Sequence, residues 1–403
     1  MKKTFFIAGA FFVLALASQS CKKSSPAATT TVNVSGLFSI TGNWSSLGID
    51  SREALQLATA DINTYLQNKN ASFRMSVSFY DTKLNPDSAQ QAFMAASNAG
   101  THFIIGPQSS AELAVLVPLA DAAKMIVVSQ GSTAGSLAIA GDPVFRFCPN
   151  DKVEGPAIAN TIYKAGVRGL VTLPRNDAGN LGLQSSTGAA FVAKGGTVNA
   201  MSAYSSTTTD FSSVIADLKT QVSQLVGTYG AANTAVYLAS FDEGADIFAL
   251  AAGDSVLSSV KWYGGDGIAL SNILLSNTSA GDFAIKTGFF APSYGLPVSL
   301  QSIWQPVSDR INAATGIAPD AFALAAYDAM WVIAYTLEAT NGSTADFNKL
   351  KTSFPLISNS YDGITGVTKL DSFGDRASGT FDYWGIAKDS AAHYGWKVVG
   401  ESE

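Results

Sequence analysis

Three apolar runs in the first third of this 403-residue chain each end in a cluster of glycine and small hydroxyl residues. The runs are residues 32–40, 102–105 and 125–128, and the clusters that follow them are residues 41–46, 106–110 and 129–133. In an open parallel sheet such turns gather at the carboxyl edge, where the following helices begin. Free backbone N–H groups and hydroxyls there suit an anionic or polar small molecule. The pattern predicts a binding pocket rather than a catalytic centre.

Strand and helix patterns alternate along the chain. Apolar residues recur at helical spacing from Leu55 to Leu66, and residues 75–80 alternate as in a strand. A second series comprises strands over residues 169–173, 235–239 and 260–263 and a helix over residues 184–193. This alternation predicts an α/β fold with mainly parallel sheets covered by helices on both faces. Roughly 370 residues follow the first 31, more than one core usually organises, so we expect two lobes.

The N-terminus has the features of a secretory signal. Two lysines precede an apolar stretch over residues 5–17, which suits a signal-peptide core and is too short to span a bilayer. Cys21 follows small residues in a loose lipobox, so we expect removal of residues 1–20 and acylation of Cys21. Residues 21–31 then form a flexible tether that holds the protein at the inner or the outer membrane. The alternative is an ordinary signal peptide whose cleavage leaves a free thiol.

Composition and motif content argue against several classes of function. The formal net charge is −6 at pH 7 and basic runs are absent, so we expect no nucleic-acid partner. The two histidines, His102 and His393, are far apart in sequence. The chain also lacks a Gly-x-Ser-x-Gly motif, a phosphate-binding loop and a cluster of His and Cys residues. We therefore expect no enzymatic activity and no bound metal or cofactor.

Residues 321–337 form the longest apolar segment after the signal, interrupted only by Asp328. The segment is short for a membrane span and carries a carboxylate. It predicts a buried helix.

Nine short motifs stand in the order found in one known family. They are residues 36–42 (GLFSITG), 53–58 (EALQLA), 80–86 (YDTKLNP), 105–110 (IGPQSS), 145–151 (FRFCPND), 209–211 (TDF), 264–267 (GGDG), 327–329 (YDA) and 363–375 (GITG to FGD). Through them the chain resembles, from residue 32 to about residue 399, the periplasmic type 1 solute-binding proteins of branched-chain amino acid and amide transporters. This is the group of the leucine/isoleucine/valine-binding protein.

The resemblance implies two doubly wound lobes joined by a hinge of three crossings, with a ligand closed between them as in a Venus flytrap. It places residues 32–149 and 291–380 in the first lobe and residues 150–290 and 381–403 in the second. It implies an extracytoplasmic lipoprotein that captures an amino acid or similar small polar solute and delivers it to the membrane subunits of an ABC-type permease. The alternative is a receptor lipoprotein that senses its ligand and signals to a membrane partner.

The resemblance also assigns the polar end of the pocket. Ser109 or Ser110 would bind the ligand carboxylate, although the same serine could simply cap a helix. The stretch from Gly131 through Ser132 to Thr133 would hold the α-amino and α-carboxylate groups. Asp266 would pair with the α-ammonium, and its alternative role is that of the acid in an Asp-Gly turn.

The other end of the pocket departs from the family pattern. Trp44 would contact the apolar part of the ligand, or pack under its own loop. Leu181 stands where many relatives have a tyrosine, and Phe241 could supply the missing aromatic wall. Arg175 could meet a second ligand carboxylate, but an internal pair with Asp177 is the favoured interpretation.

Overall fold

The computed structural model describes Met1 and residues 29–402 of the chain, so the predicted signal peptide, Cys21 and most of the tether lie outside the described residues. The strands are β1 (Thr30–Phe38), β2 (Phe73–Asp81), β3 (Phe103–Ile105), β4 (Ile126–Ser129), β5 (Val144–Arg146), β6 (Gly169–Pro174), β7 (Thr197–Ala200), β8 (Thr234–Ala239), β9 (Lys261–Gly264), β10 (Phe290–Tyr294), β11 (Asp362–Gly363), β12 (Gly366–Val367), β13 (Phe381–Lys388) and β14 (Tyr394–Glu401).

The helices alternate with these strands over most of the chain. They are α1 (Ser45–Asn68), α2 (Pro86–Asn98), α3 (Ser110–Ala120), α4 (Asp151–Lys164), α5 (Ala178–Ala193), α6 (Ser212–Tyr229), α7 (Gly244–Ala251), α8 (Asn272–Ser276), α9 (Thr278–Thr287), α10 (Gln301–Thr315), α11 (Ala321–Glu338) and α12 (Phe347–Ser358). In residues 29–402, none of them combines the length and the apolar character that a bilayer crossing requires.

The strands form two main sheets. The first has the order β2-β1-β3-β4-β5 and is parallel throughout. The second has the order β14-β13-β10-β9-β8-β6-β7, in which β13 pairs antiparallel with both β10 and β14. Each sheet organises one lobe, which confirms the predicted two-lobe α/β fold with mainly parallel sheets.

Each sheet is covered on both faces, because successive strand residues point to opposite sides. In the first lobe α1, α10, α11 and α12 pack on one face and α2 and α3 on the other. In the second lobe α6, α7 and α9 pack on one face and α4 and α5 on the other. The prediction of buried, two-sided sheets is therefore confirmed.

The apolar helix α11 is buried in the first lobe, as its sequence indicated. The Asp328 carboxylate within it accepts hydrogen bonds from the N–H groups of Ile364 (2.9 Å) and Thr365 (2.9 Å) and from the hydroxyl of Tyr361 (3.0 Å). Burial raises the pKa of Asp328, although the Thr365 hydroxyl and these N–H groups favour its charged form. The carboxylate thus fixes the loop that contains β11 and β12.

The chain crosses between the lobes three times, after β5, after β10 and before β13. The strand β10 belongs to the second sheet, so the chain returns to the first lobe after Tyr294, a few residues later than the expected boundary at 291. Arg376 ties the crossings together. Its guanidinium donates to the carbonyls of Thr365 (2.8 Å) and Phe147 (3.4 Å) and lies 4.8 Å from the ring centre of Tyr294.

A buried ion pair fixes the first and third crossings relative to each other. Arg146 at the end of β5 makes a two-pronged contact with Asp375, and both side chains are almost fully buried. Arg146 also donates to the carbonyls of Ala134 (2.6 Å) and Ser132 (3.3 Å), while Asn150 donates to Asp375 (3.2 Å). The pair therefore positions the loop after β4, which lies at the carboxyl edge of the first sheet.

We expect Asp375→Ala to lower the free energy of unfolding by about 3–5 kcal/mol, because it leaves the Arg146 guanidinium buried without a counter-charge. Urea denaturation followed by circular dichroism measures this loss. The matched control is Asp282→Ala, which removes the exposed partner of Lys388 and is expected to change stability little. Equal stability of the two variants would contradict the assigned role of the pair.

Candidate functional site

The carboxyl edges of the two sheets face each other across a cleft. The three hydroxyl-rich clusters found in the sequence follow β1, β3 and β4, and all three contribute to one cavity. From the second lobe, the segments that follow β6, β8 and β9 reach the same cavity. The sequence prediction that these turns gather at one edge is confirmed.

Side chains and backbone from both lobes line this cavity, which we call the inner cavity. The first lobe contributes Trp44, Ser109, Ser110, Gly131 and Thr133, and the second contributes Gly179, Asn180, Leu183, Phe241 and Asp266. The space open to the centre of a water molecule is about 10 Å³, room for roughly one water. A larger molecule fits only if the walls move apart.

Ser109 serves as a helix cap. Its hydroxyl donates to Glu112 Oε2 (2.6 Å) and accepts from the Glu112 N–H (3.3 Å), while its own N–H donates back to the same carboxylate (3.1 Å). This is a capping box at the start of α3. The structural alternative foreseen for this serine is therefore present, and its hydroxyl is already engaged although it borders the inner cavity.

Ser110 is the freer of the two serines. Its hydroxyl contacts the Ser132 hydroxyl (3.0 Å) and accepts from the Ala134 N–H (3.1 Å), and it lines the inner cavity. Ser110 and Ala111 are the first residues of α3, so their N–H groups have no carbonyl partner within the helix. This end of the cavity is suited to a carboxylate.

The loop after β4 contributes Gly131 and Thr133 but not the residue between them. Gly131 approaches closely, since a Cβ atom there would lie 2.9 Å from the carbonyl oxygen of Gln108. Ser132 does not line the inner cavity: its hydroxyl faces Ser110 and its N–H donates to Ser129 Oγ (3.0 Å). Ser132 therefore shapes the loop, contrary to its expected place in the lining.

Asp266 lies in a short turn after β9 and is only 6% exposed. Burial raises the pKa of Asp266, and repulsion from Asp151 adds to the effect. Burial also raises the pKa of Glu154, with repulsion from Asp266 and Asp151. Within residues 29–402 no lysine or arginine forms an ion pair with any of these three acids. Of these three acids only Asp266 lines the inner cavity, where a cation would meet its carboxyl group.

Leu181 does not take the expected place in the pocket. Helix α5 begins at Ala178, several residues before the predicted start at 184, because the Asp177 side chain caps it by accepting from the Asn180 N–H (3.0 Å). On this helix Leu181 points outward and is 39% exposed, whereas Asn180 and Leu183 line the inner cavity.

Trp44 and Phe241, which the sequence suggested as an aromatic wall, both line the inner cavity and contact each other. Their ring centres are 4.7 Å apart, and Trp44 also meets Phe322 edge-on at 6.5 Å. Trp44 precedes α1 with a φ of 56°, a left-handed conformation that is uncommon for a bulky residue. Since Trp44 belongs to the first lobe and Phe241 to the second, this contact joins the lobes.

Hydrogen bonds around this aromatic pair also cross the cleft. The Trp44 N–H donates to Asp242 Oδ2 (2.6 Å), the Asp242 N–H donates to Asn43 Oδ1 (2.9 Å), and Asn43 Nδ2 donates to Glu243 Oε2 (2.6 Å). Sequence analysis missed Asn43, Asp242 and Glu243. The available signal was the run of polar residues directly after Phe241, at the carboxyl end of a buried strand.

Arg175 forms the predicted internal pair. Its Nε lies 3.2 Å from Asp177 Oδ2, and its Nη1 lies 3.5 Å from Glu243 Oε2. The guanidinium also lies 5.1 Å from the ring centre of Phe241. Arg175 is not among the residues that line the inner cavity, and its charge is balanced by these acids.

Comparison with known proteins identifies a family. A family model described as the receptor family ligand binding region matches residues 50–389. An uncharacterized protein from Methanocaldococcus jannaschii is 26% identical over 385 residues, which cover 92% of this chain and 89% of that protein.

Solved structures share the fold at low sequence identity. The branched-chain amino acid substrate-binding protein LivJ from Streptococcus pneumoniae, in complex with isoleucine, has a TM-score of 0.74 at 19% identity and covers 93% of this chain and 99% of its own. The leucine-binding protein LivK from Thermotoga maritima has a TM-score of 0.73 at 18% identity, covering 92% and 99%. A solute-binding protein from R. palustris in complex with benzoate has a TM-score of 0.72 at 18% identity, covering 91% and 96%. The type 1 periplasmic binding protein fold is thus confirmed.

We expect Asn43→Ala to shift the protein toward an open arrangement, because it removes two hydrogen bonds between the lobes, each worth about 0.5–1.5 kcal/mol. Small-angle X-ray scattering measures the change as a larger radius of gyration. Asn68→Ala, at an exposed position near the end of α1, is the control. A radius equal to that of the control would show that these bonds do not hold the lobes together.

Proposed function

We propose that this chain, which belongs to the family described as the receptor family ligand binding region, is an extracytoplasmic solute-binding protein for an amino acid or a similar small polar solute. It would deliver this solute to the membrane subunits of an ABC-type permease. The proposal also includes acylation of Cys21, with residues 21–31 as the tether to the membrane. No step of this function changes the solute chemically.

One observation carries the proposal: hydroxyl and N–H groups of the first lobe and a carboxyl group of the second lobe line the same inner cavity. The hydroxyls of Ser110 and Thr133 and the first N–H groups of α3 suit an α-carboxylate. Asp266 on the second lobe suits an α-ammonium. A zwitterion placed between them satisfies both ends at once.

Because the ligand contacts come from both lobes, binding favours closure of the lobes. Contacts to Ser110 and Thr133 come from the first lobe and contacts to Asp266 from the second, so one ligand makes all of them only when the lobes are together. A ligand with this differential affinity shifts the population toward the closed form. In this proposal the closed face is what a permease recognises.

The relatives support this class of ligand without specifying it. LivJ was solved with isoleucine, and the R. palustris protein was solved with benzoate. Both ligands carry a carboxylate, which agrees with the role proposed here for the start of α3. Trp44 and Phe241 would form the wall against the remainder of the solute.

We expect Asp266→Asn to weaken binding of α-amino acids by at least about tenfold, because the ammonium loses its charged partner. Isothermal titration calorimetry with a panel of amino acids measures the loss. Asp217→Asn, which changes an exposed carboxylate of the second lobe, is the matched control. An Asp266→Asn protein with unchanged affinity would show that the ammonium binds elsewhere.

Binding should also depend on pH. Since burial and Asp151 raise the pKa of Asp266, its neutral form is favoured near neutral pH, whereas a bound ammonium favours the charged form. Affinity is therefore expected to increase from about pH 5 to about pH 8, with release of a proton on binding. Titrations in two buffers of different ionisation enthalpy measure that proton. A constant affinity over this range, with no effect of the buffer, would contradict the assignment.

A further inference from the structure

A second cavity lies between the lobes, and Trp44 borders both it and the inner cavity. We call it the outer cavity. Asp50 and Asp320 of the first lobe and Leu270 and Ser271 of the second line it. Its volume open to the centre of a water molecule is about 10 Å³, the same as in the inner cavity. Trp44 therefore lies between two small spaces of one cleft, and the lining of the outer cavity combines apolar residues with Asp50, Asp320 and two serines.

Asp50 is the uncommitted acid of the outer cavity. It lies near the start of α1, is 2% exposed, and its Oδ1 has no hydrogen-bond partner within residues 29–402. Its neighbours are engaged: Asp320 accepts from the Ala323 N–H (2.8 Å) as the cap of α11, and the Ser271 hydroxyl donates to Asp242. A buried carboxylate oxygen without a partner costs stability unless a donor reaches it.

In the part of the chain that the structure describes, the outer cavity contains two acids and no cationic side chain. No lysine, arginine or histidine is among the described residues that line it, and the same holds for the inner cavity. Burial raises the pKa of Asp50 to about 8 despite the nearby Thr315 hydroxyl, and repulsion from Asp320 and Glu53 contributes. Burial also raises the pKa of Asp320 to about 6. A cation in the outer cavity would relieve both effects.

The two acidic ends lie on either side of one side chain, because Trp44 lines both the inner cavity, with Asp266, and the outer cavity, with Asp50 and Asp320. The charge of Asp320 also contributes to raising the pKa of Asp266. Trp44 borders both spaces, so a chain of methylene groups between the two ends would lie along its ring. The side chain of such a ligand would carry its own positive charge toward Asp50.

We propose that the solute is an α-amino acid with a cationic side chain, whose α-ammonium pairs with Asp266 and whose distal cation pairs with Asp50 and Asp320 beyond Trp44. This inference rests on the function proposed above and specifies its ligand class. Aliphatic amino acids would leave the Asp50 carboxylate buried without a partner. The outer cavity thus acts as the specificity-determining end of the cleft.

The test is a calorimetric titration of the protein with L-lysine, L-ornithine and L-arginine, and with L-norleucine as the analogue of lysine that lacks the distal ammonium. We expect at least one cationic amino acid to bind about tenfold or more tighter than norleucine. Asp50→Asn should remove that advantage without weakening the binding of norleucine. Asp87→Asn, at an exposed position of the same lobe, is the matched control.

A second variant guards against a folding defect. Asp320→Asn keeps the side-chain oxygen that caps α11, since asparagine is an equally good cap. It should likewise weaken binding of the cationic ligand more than binding of norleucine. Thermal melting checks that each variant is folded. The melting temperature of Asp50→Asn should rise above that of the wild-type protein progressively from about pH 4 to about pH 8, because Asp50 of the unfolded wild-type chain ionises near pH 3.8 whereas the buried group holds its proton up to about pH 8.

The outcomes separate the two proposals. If norleucine binds as tightly as the cationic amino acids, or if Asp50→Asn binds lysine normally, the charged-ligand inference is overturned and the proposed function stands. If the folded wild-type protein binds none of these four amino acids, the charged-ligand inference is also overturned. The proposed function fails as well only if a wider panel of amino acids and small polar solutes gives no binding.

Discussion

The buried contact between Arg146 and Asp375 determines how the cleft is built. It joins residues 229 positions apart in sequence and holds the carbonyls of the loop that carries Thr133. Because Asp375 neutralises this guanidinium, Arg146 does not offset the acids of the cleft. The same is true of Arg175, which pairs with Asp177 and Glu243. The cleft therefore contains acids that no cationic side chain of the described residues neutralises.

These unpaired acids determine which ligand chemistry the closed cleft favours. Aromatic packing between Trp44 and Phe241 and the hydrogen bonds of Asp242 with the Trp44 N–H and with Asn43 hold the lobes together. On either side of this contact lie acids whose pKa values are raised by burial. A closed form that buries unpaired carboxylates is costly, and a positively charged solute lowers that cost. Closure and recognition thus depend on the same groups.

Local patterns predicted much of this structure, and the errors have identifiable causes. Strand and helix periodicity and the hydroxyl-rich turns are local features, so the fold class and most of the first-lobe lining were predicted. The start of α5 was missed because Gly179 and Gly182 weaken its helical pattern. Gly182 is needed there for close approach, since a Cβ atom would lie 2.1 Å from Asp151 Oδ2. Because this helix was predicted to begin at residue 184, Leu181 was expected to lie in the pocket.

By itself, the sequence determined the alternation of strands and helices, the absence of catalytic motifs and the family resemblance, because these depend on neighbouring residues. Only the tertiary structure decided which distant acids meet. Asp50, Asp266 and Asp320 belong to separate segments; the GGDG motif singled out Asp266, but nothing in the local sequence distinguishes Asp50 or Asp320 from acids on the surface. These acids are buried, and the nearby arginines pair with other acids, so no cationic side chain within residues 29–402 offsets them. Both are properties of the assembled lobes, and they set the chemistry of the cleft.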